Sequence, residues 1–233
     1  MREALDQITT GCGALDQLLQ GGIERGEVTL LYGEAGTGKT TGVIQVAVSA
    51  TVQGFKVIFV DSDNSFTQQR FRQIAGEKEK VLSELIMLFF PDSFKRQRLL
   101  VESLDNYVSA NLGLVVIDSI STLYRAAFSD TQSIFNLNRD LARQLAYLVD
   151  LTVSKKIACL ITSQVHARLK PIGSQIEPVA RRALFHFPGT IIRIRNMTNP
   201  TVREFAIERL RGKAIERRCI VSMTEKGFAN RLS

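Results

Sequence analysis

The chain alternates between short, continuously apolar runs and longer segments in which apolar residues recur at helical spacing. The apolar runs comprise residues 28–32, 56–60, 85–90, 114–117 and 157–162. The periodic segments comprise residues 40–52, 93–110 and 133–155. Strands separated by helices of this length are joined by crossovers, which place successive strands parallel. The pattern predicts an α/β fold with a mainly parallel central sheet flanked by helices.

Beyond residue 187 the spacing changes. Short apolar runs at 190–194, 202–207 and 219–223 follow one another too closely for helical crossovers, and NMTNP at 196–200 supplies turn residues. We expect strands joined by hairpins in this part, with antiparallel pairing left open. Residues 1–233 are predicted to form a single domain, with a short lead at 1–27.

Composition narrows the class of protein. At 233 residues and 45% hydrophobic content the chain is long enough for an enzyme core. No window approaches the roughly 18 apolar residues of a membrane span, and the N-terminus lacks an apolar signal core, so a cytoplasmic protein without membrane contact is expected. Cys12, Cys159 and Cys219 are odd in number and widely spaced, which argues against disulfides or a zinc site.

The net charge of +7 is unevenly distributed. Residues 166–233 hold 14 Lys and Arg against 5 Asp and Glu, whereas residues 1–165 hold 16 against 18. This basic excess favours an anionic partner, and nucleic acid rather than a membrane, because no amphipathic basic helix or lipidation motif accompanies it. A basic surface that is merely solvated is the alternative.

Residues 33–40, GEAGTGKT, match the phosphate-loop pattern GxxxxGK[ST] between an apolar run and a helical segment. Glycines let backbone N–H groups surround a polyphosphate, Lys39 reaches its outer phosphates, and Thr40 is placed to hold Mg²⁺ at the helix N-terminus. An ordinary glycine-rich turn is disfavoured because the strand and the helix that the motif requires are both predicted.

Acidic residues follow two other predicted strands. LVVID ends in Asp118 at the same sheet edge as the loop, so this acid is predicted to hold the Mg²⁺ shell, with a helix N-cap as the alternative. Asp61 and Asp63 follow the run 56–60. Either acid suits the orientation of an attacking water, and either suits a turn or the capping of a helix expected near Phe66. The local sequence leaves these two roles open.

Motifs spread over nearly the whole chain resemble the RecA/RadA recombinase family, most closely its short archaeal paralogue. They are ITTGCGALDQLLQGGIERGEVTLLYGEAGTGKTT, FVDSDNSFTQQR, PDSFKRQR, LVVIDSISTLYR, ITSQVHARL, ERLRGK and MTEKGF. The phosphate loop alone would indicate only a superfamily, whereas TGCGALDQLLQGG, DSISTLYR and SQV are specific to recombinase-like cores. The resemblance implies a RecA-type ATPase core that uses ATP and Mg²⁺.

The resemblance assigns roles in the nucleotide site. The ATP-contacting residues would be Gly33, Glu34, Ala35, Gly36, Thr37, Gly38, Lys39, Thr40 and Thr41. Asp118 would join Thr40 at Mg²⁺, and Asp63 stands where the main recombinases have a water-positioning glutamate. Gln164 is similar to the glutamine that senses the terminal phosphate, a role that suits a neutral amide because it both donates and accepts. A plain polar residue at a strand end is the alternative for Gln164.

Two loops of the family face DNA. The matching residues are Tyr124 and Arg125 in the first loop, and His166, Arg168, Lys170, Arg181 and Arg182 in the second. Their cations would neutralise phosphates irrespective of base sequence, and Tyr124 would stack a base if exposed, or else belong to the core. Arg181 and Arg182 replace the family's paired glycines, which stiffens the loop and argues against filament-style stretching of DNA.

Arg209 and Arg211 resemble a basic pair that RecA places across a subunit boundary onto a neighbour's ATP. Alternate strand residues share a face, so two cations at this spacing would meet one polyphosphate if subunits self-associate. A solvated strand face and further DNA contact are the alternatives.

Two departures from the family lower the expected activity. The residues ahead of Gly33 are too few for the family's N-terminal DNA-binding domain and polymerising linker, which are expected to be absent. Asp63 is shorter than glutamate by one methylene, roughly 1.5 Å, and a small misplacement of a catalytic group costs on the order of 100-fold. Slow hydrolysis is therefore expected.

The expected function is that of an ATP- and DNA-binding accessory protein in recombination and repair, with very weak ATPase activity and no strand exchange. The resemblance implies a role in processing branched DNA, with the main recombinase or a Holliday-junction resolvase as partner. The alternatives are a filament-forming, DNA-dependent ATPase recombinase and a KaiC-like signalling ATPase.

Overall fold

The computed structural model describes residues 6–128, 134–164 and 177–231, the last range with side chains from Arg181 onward. The strands are β1 Gln7–Ile8, β2 Ile23–Glu24, β3 Val28–Gly33, β4 Lys56–Asp61, β5 Ile86–Phe89, β6 Leu112–Asp118, β7 Ala158–Ser163, β8 Thr190–Asn196, β9 Val202–Leu210, β10 Lys213–Thr224 and β11 Gly227–Asn230. The helices are α1 Gly13–Leu18, α2 Lys39–Val52, α3 Gln68–Ala75, α4 Glu79–Ser83, α5 Phe94–Glu102, α6 Thr122–Ala127, α7 Ile134–Lys155 and α8 Glu177–His186. Single 3₁₀ turns occupy Gly76–Lys78 and Leu104–Tyr107.

Strands β3 to β11 form one sheet of nine strands within the described ranges, in the order β11-β10-β9-β8-β3-β7-β6-β4-β5. The pairs from β8 through β3, β7, β6 and β4 to β5 are parallel. The pairs from β8 through β9 and β10 to β11 are antiparallel. The predicted α/β fold with a mainly parallel sheet is confirmed, and the C-terminal hairpins pair antiparallel.

The carboxyl ends of four neighbouring parallel strands meet at one edge of the sheet. These ends are Gly33 of β3, Asp61 of β4, Asp118 of β6 and Ser163 of β7. Because ligands of open α/β sheets bind outside the carboxyl ends of their strands, this edge is the expected place for a site.

Each face of the sheet has its own hydrophobic core. Leu31 and Phe59 point to the face covered by α2, whereas their chain neighbours Leu30 and Ile58 point to the face covered by α7. This alternation follows from the strand period of two, and burial on both faces explains why these strands are apolar throughout.

Helix α2 is buried almost all round, because the sheet covers one side and the last strand covers another. The side-chain amide of Gln45 donates to the Phe228 carbonyl oxygen (2.9 Å) and accepts from the Phe228 N–H (2.6 Å). A Cβ added at Gly42 would lie 3.2 Å from the Phe228 ring. Strand β11, which the hydrophobic pattern did not predict, thus packs on the helix that follows the phosphate loop.

The segment predicted as one helix over 93–110 ends sooner. Ser93 caps α5, since its hydroxyl accepts from the Arg96 N–H at 3.3 Å. After Glu102 the Ser103 hydroxyl bonds back to the Leu100 carbonyl oxygen (2.9 Å), and a 3₁₀ turn follows. Short polar side chains offer the backbone local alternatives to the helix, which explains the break.

No helix in the described part of the chain has the length and hydropathy to cross a bilayer. The three cysteines are free, with Cys12 and Cys159 buried and Cys219 partly buried. Cys159 lies in the core on the α7 face of the sheet, as its apolar surroundings predict.

Candidate nucleotide site

The loop 33–40 connects β3 to α2 with a backbone that only glycine adopts readily at two points. Gly36 has φ +74° and Gly38 has φ +99°. Gly38 is the N-cap of α2 and supplies no capping side chain. The backbone N–H groups of the first helical turn can therefore donate to another acceptor. A helix N-terminus of this kind favours an anion.

Lys39 lies inside this loop. Its ammonium group donates to the carbonyl oxygens of Gly33 (3.0 Å) and Glu34 (2.8 Å). Burial lowers the pKa of Lys39, while the carboxylates of Asp118 and Asp63 act in the opposite direction. The cation therefore lies between the loop carbonyls and the two acids, where a polyphosphate held by the loop would meet it.

Asp118 is buried and accepts hydrogen bonds from three hydroxyl groups. Thr40 donates at 2.6 Å and Ser65 at 3.3 Å to one carboxylate oxygen, and Thr162 of β7 donates to the other. Burial raises the pKa of Asp118, and the donors from Thr162 and Thr40 only partly offset this. The contacts hold the carboxylate in one orientation beside the Thr40 hydroxyl.

Thr40 and Asp118 suit Mg²⁺ by the chemistry of their donors. Mg²⁺ takes hydroxyl and carboxylate oxygens, keeps several waters and commonly shares its remaining positions with substrate phosphates. The described residues contain no cluster of three or more His, Cys, Asp or Glu that would form an all-protein metal site. The hydroxyl and carboxylate oxygens of Thr40 and Asp118 are appropriate for Mg²⁺ that arrives with a nucleotide.

Asp61 and Asp63 differ in environment, although they are two residues apart. Asp61 is fully buried, and its carboxylate accepts from the backbone N–H groups of Asp63 (3.3 Å), Ser65 (3.1 Å) and Phe66 (2.8 Å). It therefore fixes the turn after β4. The helix that follows has Thr67 as its N-cap, with the Thr67 hydroxyl accepting from Arg70 N–H at 3.2 Å.

The Asp63 carboxylate neither holds the turn after β4 nor caps the following helix. Its carboxylate accepts from the Ser119 hydroxyl at 3.3 Å, and its own N–H donates to the Asp118 carbonyl oxygen at 3.2 Å. These contacts hold a half-buried acid beside the strand end that carries Asp118. Of the alternatives that the local sequence left open, the turn role therefore belongs to Asp61, and the helix cap is Thr67. The water-positioning role of Asp63 stays a prediction.

Gln164 follows β7 at the same edge and is contacted by Arg125 of α6. The Arg125 guanidinium donates to the backbone carbonyl oxygen of Gln164 (3.2 Å) and to its side-chain oxygen (3.3 Å). Arg125, which is predicted to contact DNA, therefore forms hydrogen bonds with Gln164, which is predicted to sense the terminal phosphate. Both roles stay predictions.

A buried polar chain behind the site was missed by the sequence analysis. The Ser62 hydroxyl donates to Gln97 (2.9 Å), and the amide of Gln97 donates to the Ile120 carbonyl oxygen (3.3 Å) and to Gln144 of α7 (2.9 Å). Gln97 and Gln144 are both fully buried. Gln97 shares the spacing of Phe94 and Val101, so its place on the core face of α5 was a readable signal.

Arg70 is a second residue that the sequence analysis did not single out. Its guanidinium donates to the Thr41 hydroxyl (3.3 Å) and to the carbonyl oxygens of Thr224 (3.2 Å) and Glu225 (2.8 Å). Partial burial lowers its pKa. Arg70 therefore connects α3 with the start of α2, which follows the phosphate loop, and with the β10–β11 turn.

The structure corrects the geometry assumed for Arg209 and Arg211. Arg209 lies on β9 and donates to the carbonyl oxygens of Phe185 (2.8 Å) and Pro188 (3.1 Å). Arg211 lies beyond the strand, at φ +48°, and pairs with Glu24 at 2.8 Å. The two side chains therefore do not extend from one strand face, and a contact with a neighbour's nucleotide stays a prediction.

Apart from Arg125, which contacts Gln164, the residues expected at DNA fall into three groups. The ring of Tyr124 is buried against Phe94 and its hydroxyl donates to Asn138 (2.8 Å), so the base-stacking role, which required exposure, is corrected to a core role. Arg181 and Arg182 are exposed on α8. His166, Arg168 and Lys170 lie outside the described residues.

A family model described as Rad51 matches residues 1–227 of the chain. A DNA repair and recombination protein RadB from Methanococcoides burtonii is 34% identical over 194 residues, which cover 83% of this chain and 85% of the relative. A second RadB, from Thermococcus kodakarensis, is 33% identical over 225 residues, covering 95% and 98%. A solved structure described as the RadB recombinase superposes with a TM-score of 0.79 at 28% identity, covering 97% of this chain and 100% of that one.

Proposed function

The chain belongs to the Rad51 family, and on this basis we propose that it is an ATP- and DNA-binding accessory protein of recombination and repair, with very weak ATPase activity and no strand exchange of its own. The similarity to proteins named RadB supports the recombination and repair role. The resemblance further favours a part in processing branched DNA, with the main recombinase or a Holliday-junction resolvase as partner.

One observation carries the nucleotide part of this proposal. The loop, the Lys39 ammonium and the Thr40–Asp118 pair converge at one sheet edge, with 2.6 Å between the Thr40 and Asp118 oxygens. The loop N–H groups and Lys39 would bind the phosphates, while Thr40 and Asp118 would hold Mg²⁺, which neutralises phosphate charge when bound. Lys39 and Thr40 begin α2 and Asp118 ends β6, so regular elements hold the backbone of the site in place.

Weak hydrolysis follows from the length and the contacts of the Asp63 side chain. Asp63 is half-buried and lies two residues beyond the end of β4, and one of its carboxylate oxygens already accepts a hydrogen bond from the Ser119 hydroxyl. Its reach is shorter than that of the glutamate found in the main recombinases. The site therefore favours holding ATP as a conformational ligand over turning it over.

The rate of ATP hydrolysis with and without single-stranded DNA tests the proposed function. A low rate that DNA does not raise, together with salt-sensitive DNA binding, is the expected result. Strong stimulation by DNA, accompanied by strand exchange, would contradict it and favour a filament-forming recombinase.

Asp63→Glu is expected to raise single-turnover ATP hydrolysis, by up to about 100-fold if reach alone limits the wild-type rate. Asp63→Ala is expected to lower the residual rate, and both variants should bind ATP normally. Asp92→Glu, the same added methylene at an exposed acid that pairs with Arg96, is the matched control. Wild-type turnover in both Asp63 variants would show that this acid takes no part in hydrolysis.

Arg181→Ala combined with Arg182→Ala is expected to weaken DNA binding, because both guanidinium groups are exposed on α8, in the segment that matches the second DNA loop of the family. Loss of two phosphate contacts should flatten the slope of log K against log salt by about 1.4 for single strands. The matched control is Arg217→Ala with Arg218→Ala, which removes the same charge from exposed positions on β10. Equal slopes in the two double variants would remove α8 from the DNA surface.

A further inference from the structure

Arg203, the second residue of β9, lies directly behind the phosphate loop. It is 7% exposed, and its Nε donates to the carbonyl oxygen of Thr37 at 2.9 Å. Its Nη1 donates to the carbonyl oxygens of Pro200 (2.7 Å) and Val202 (2.9 Å). Since β9 pairs with strands on both sides at this position, opposite Asn196 and Val221, the guanidinium projects from a rigid part of the sheet.

The acceptors of Arg203 within the described ranges are all neutral carbonyl oxygens. The acid next to it in the chain, Glu204, points to the other face of the strand, where Arg195 and Arg218 pair with it. An arginine stays protonated even when buried. The loop therefore has a full positive charge behind it as well as the Lys39 charge within it.

The contact with Thr37 also fixes the direction of a peptide plane. A trans peptide has its carbonyl and N–H on opposite sides, so a carbonyl of Thr37 held toward β9 turns the N–H of Gly38 toward the phosphate side of the loop. Gly38 has φ +99°, and a Cβ there would lie 3.0 Å from the Phe228 ring, so the loop has little room for another conformation. The Thr37 hydroxyl, bonded to the Glu34 carbonyl oxygen at 2.9 Å, braces the same turn.

We propose that Arg203 is a positioning residue of the nucleotide site, which orients the Thr37–Gly38 peptide and adds buried positive charge behind the bound phosphates. The proposal rests on the nucleotide binding proposed above. A buried charge acts across a low dielectric, so its effect on a polyphosphate exceeds that of a surface cation at equal distance.

The test compares Arg203→Gln and Arg203→Lys with Arg218→Gln, a surface charge removal from the adjacent strand whose side chain is 76% exposed. Mg·ATP affinity is measured by titration calorimetry, and the melting temperature is measured for each protein without nucleotide. Arg203→Gln should lose about tenfold or more in affinity, the equivalent of one charge-assisted hydrogen bond. Arg203→Lys, which keeps a charge and one donor, should stay within about threefold of the wild type even if it melts lower.

The outcomes separate the two proposals. Wild-type affinity in Arg203→Gln, or equal losses in the Gln and Lys variants that follow their melting temperatures, would reduce Arg203 to a structural residue and overturn the inference. Failure of the folded wild type and of Arg218→Gln to bind Mg·ATP would instead overturn the proposed function. If Arg203→Gln does not fold, Arg203→Lys decides. A loss of Mg·ATP affinity that accompanies a lower melting temperature in Arg203→Lys would contradict a charge-based role, because this variant keeps the charge.

Discussion

Lys39→Ala is expected to weaken Mg·ATP binding by about 100-fold or more, equivalent to about 2.7 kcal/mol, while most of the DNA affinity remains. The reason is the position of the ammonium group inside the loop, bonded to the Gly33 and Glu34 carbonyl oxygens. Each charge-assisted hydrogen bond to a phosphate contributes about 1.5–3 kcal/mol. No other lysine of the described residues lies in this loop.

The measurement is the dissociation constant for Mg·ATP and, separately, for single-stranded DNA. Lys213→Ala is the matched control, because it removes the same charge from an exposed position at the start of β10, the end of that strand remote from the β10–β11 turn. Both variants should lose the same small amount of DNA affinity through net charge. Equal ATP affinity in Lys39→Ala and the wild type would count against the site itself.

Asp118→Asn is expected to abolish the stabilisation by Mg·ATP while leaving the ligand-free protein as stable as the wild type or more so. Burial raises the pKa of Asp118, so the folded state holds its proton more tightly than the unfolded chain. As pH rises from the ordinary carboxyl pKa through the raised one, ionisation costs the folded state stability. Asparagine has nearly the same shape and no charge. It therefore removes the cost of ionising a buried carboxyl group, and it also removes the negative charge that would bind Mg²⁺.

Melting temperatures in chelator and in excess Mg·ATP, over a range of pH, measure both effects. The ligand-free wild type should lose stability relative to Asp118→Asn as pH rises, and the variant should lack the Mg·ATP shift. Asp105→Asn is the control, because the Tyr147 hydroxyl lowers the pKa of Asp105 and its replacement should leave the Mg·ATP shift intact. A full Mg·ATP shift in Asp118→Asn would contradict the metal role.

The parts of the site that the sequence predicted are those built from neighbours in the chain. The loop 33–40 carries its strand, its glycines and its helix within one short stretch, and LVVID carries its own strand before Asp118. The helical segments between the strands make the strands parallel, which is why the ends of both motifs lie at the same edge of the sheet. Both depend on local rules of backbone and burial.

The parts that escaped prediction depend on residues far apart in the chain. Arg203 reaches Thr37 from β9, and Gln97 connects Ser62 with Gln144. The local sequence shows that Arg203 and Gln97 are polar, but it does not show which groups on other elements they bond to. The turn role of Asp61 could not be predicted for the same reason, because only the turn geometry shows which of the two carboxylates faces the backbone N–H groups.

The two hydrogen bonds between the Gln45 side chain and the Phe228 backbone affect when the nucleotide site can form during synthesis. The helix after the phosphate loop leaves the ribosome early, yet Phe228, which packs on it, follows Gln45 by 183 residues. Domains with such distant contacts complete their core late. A nascent chain stopped before β11 should therefore lack ATP-dependent protection from proteases, which would appear only once that strand has been made.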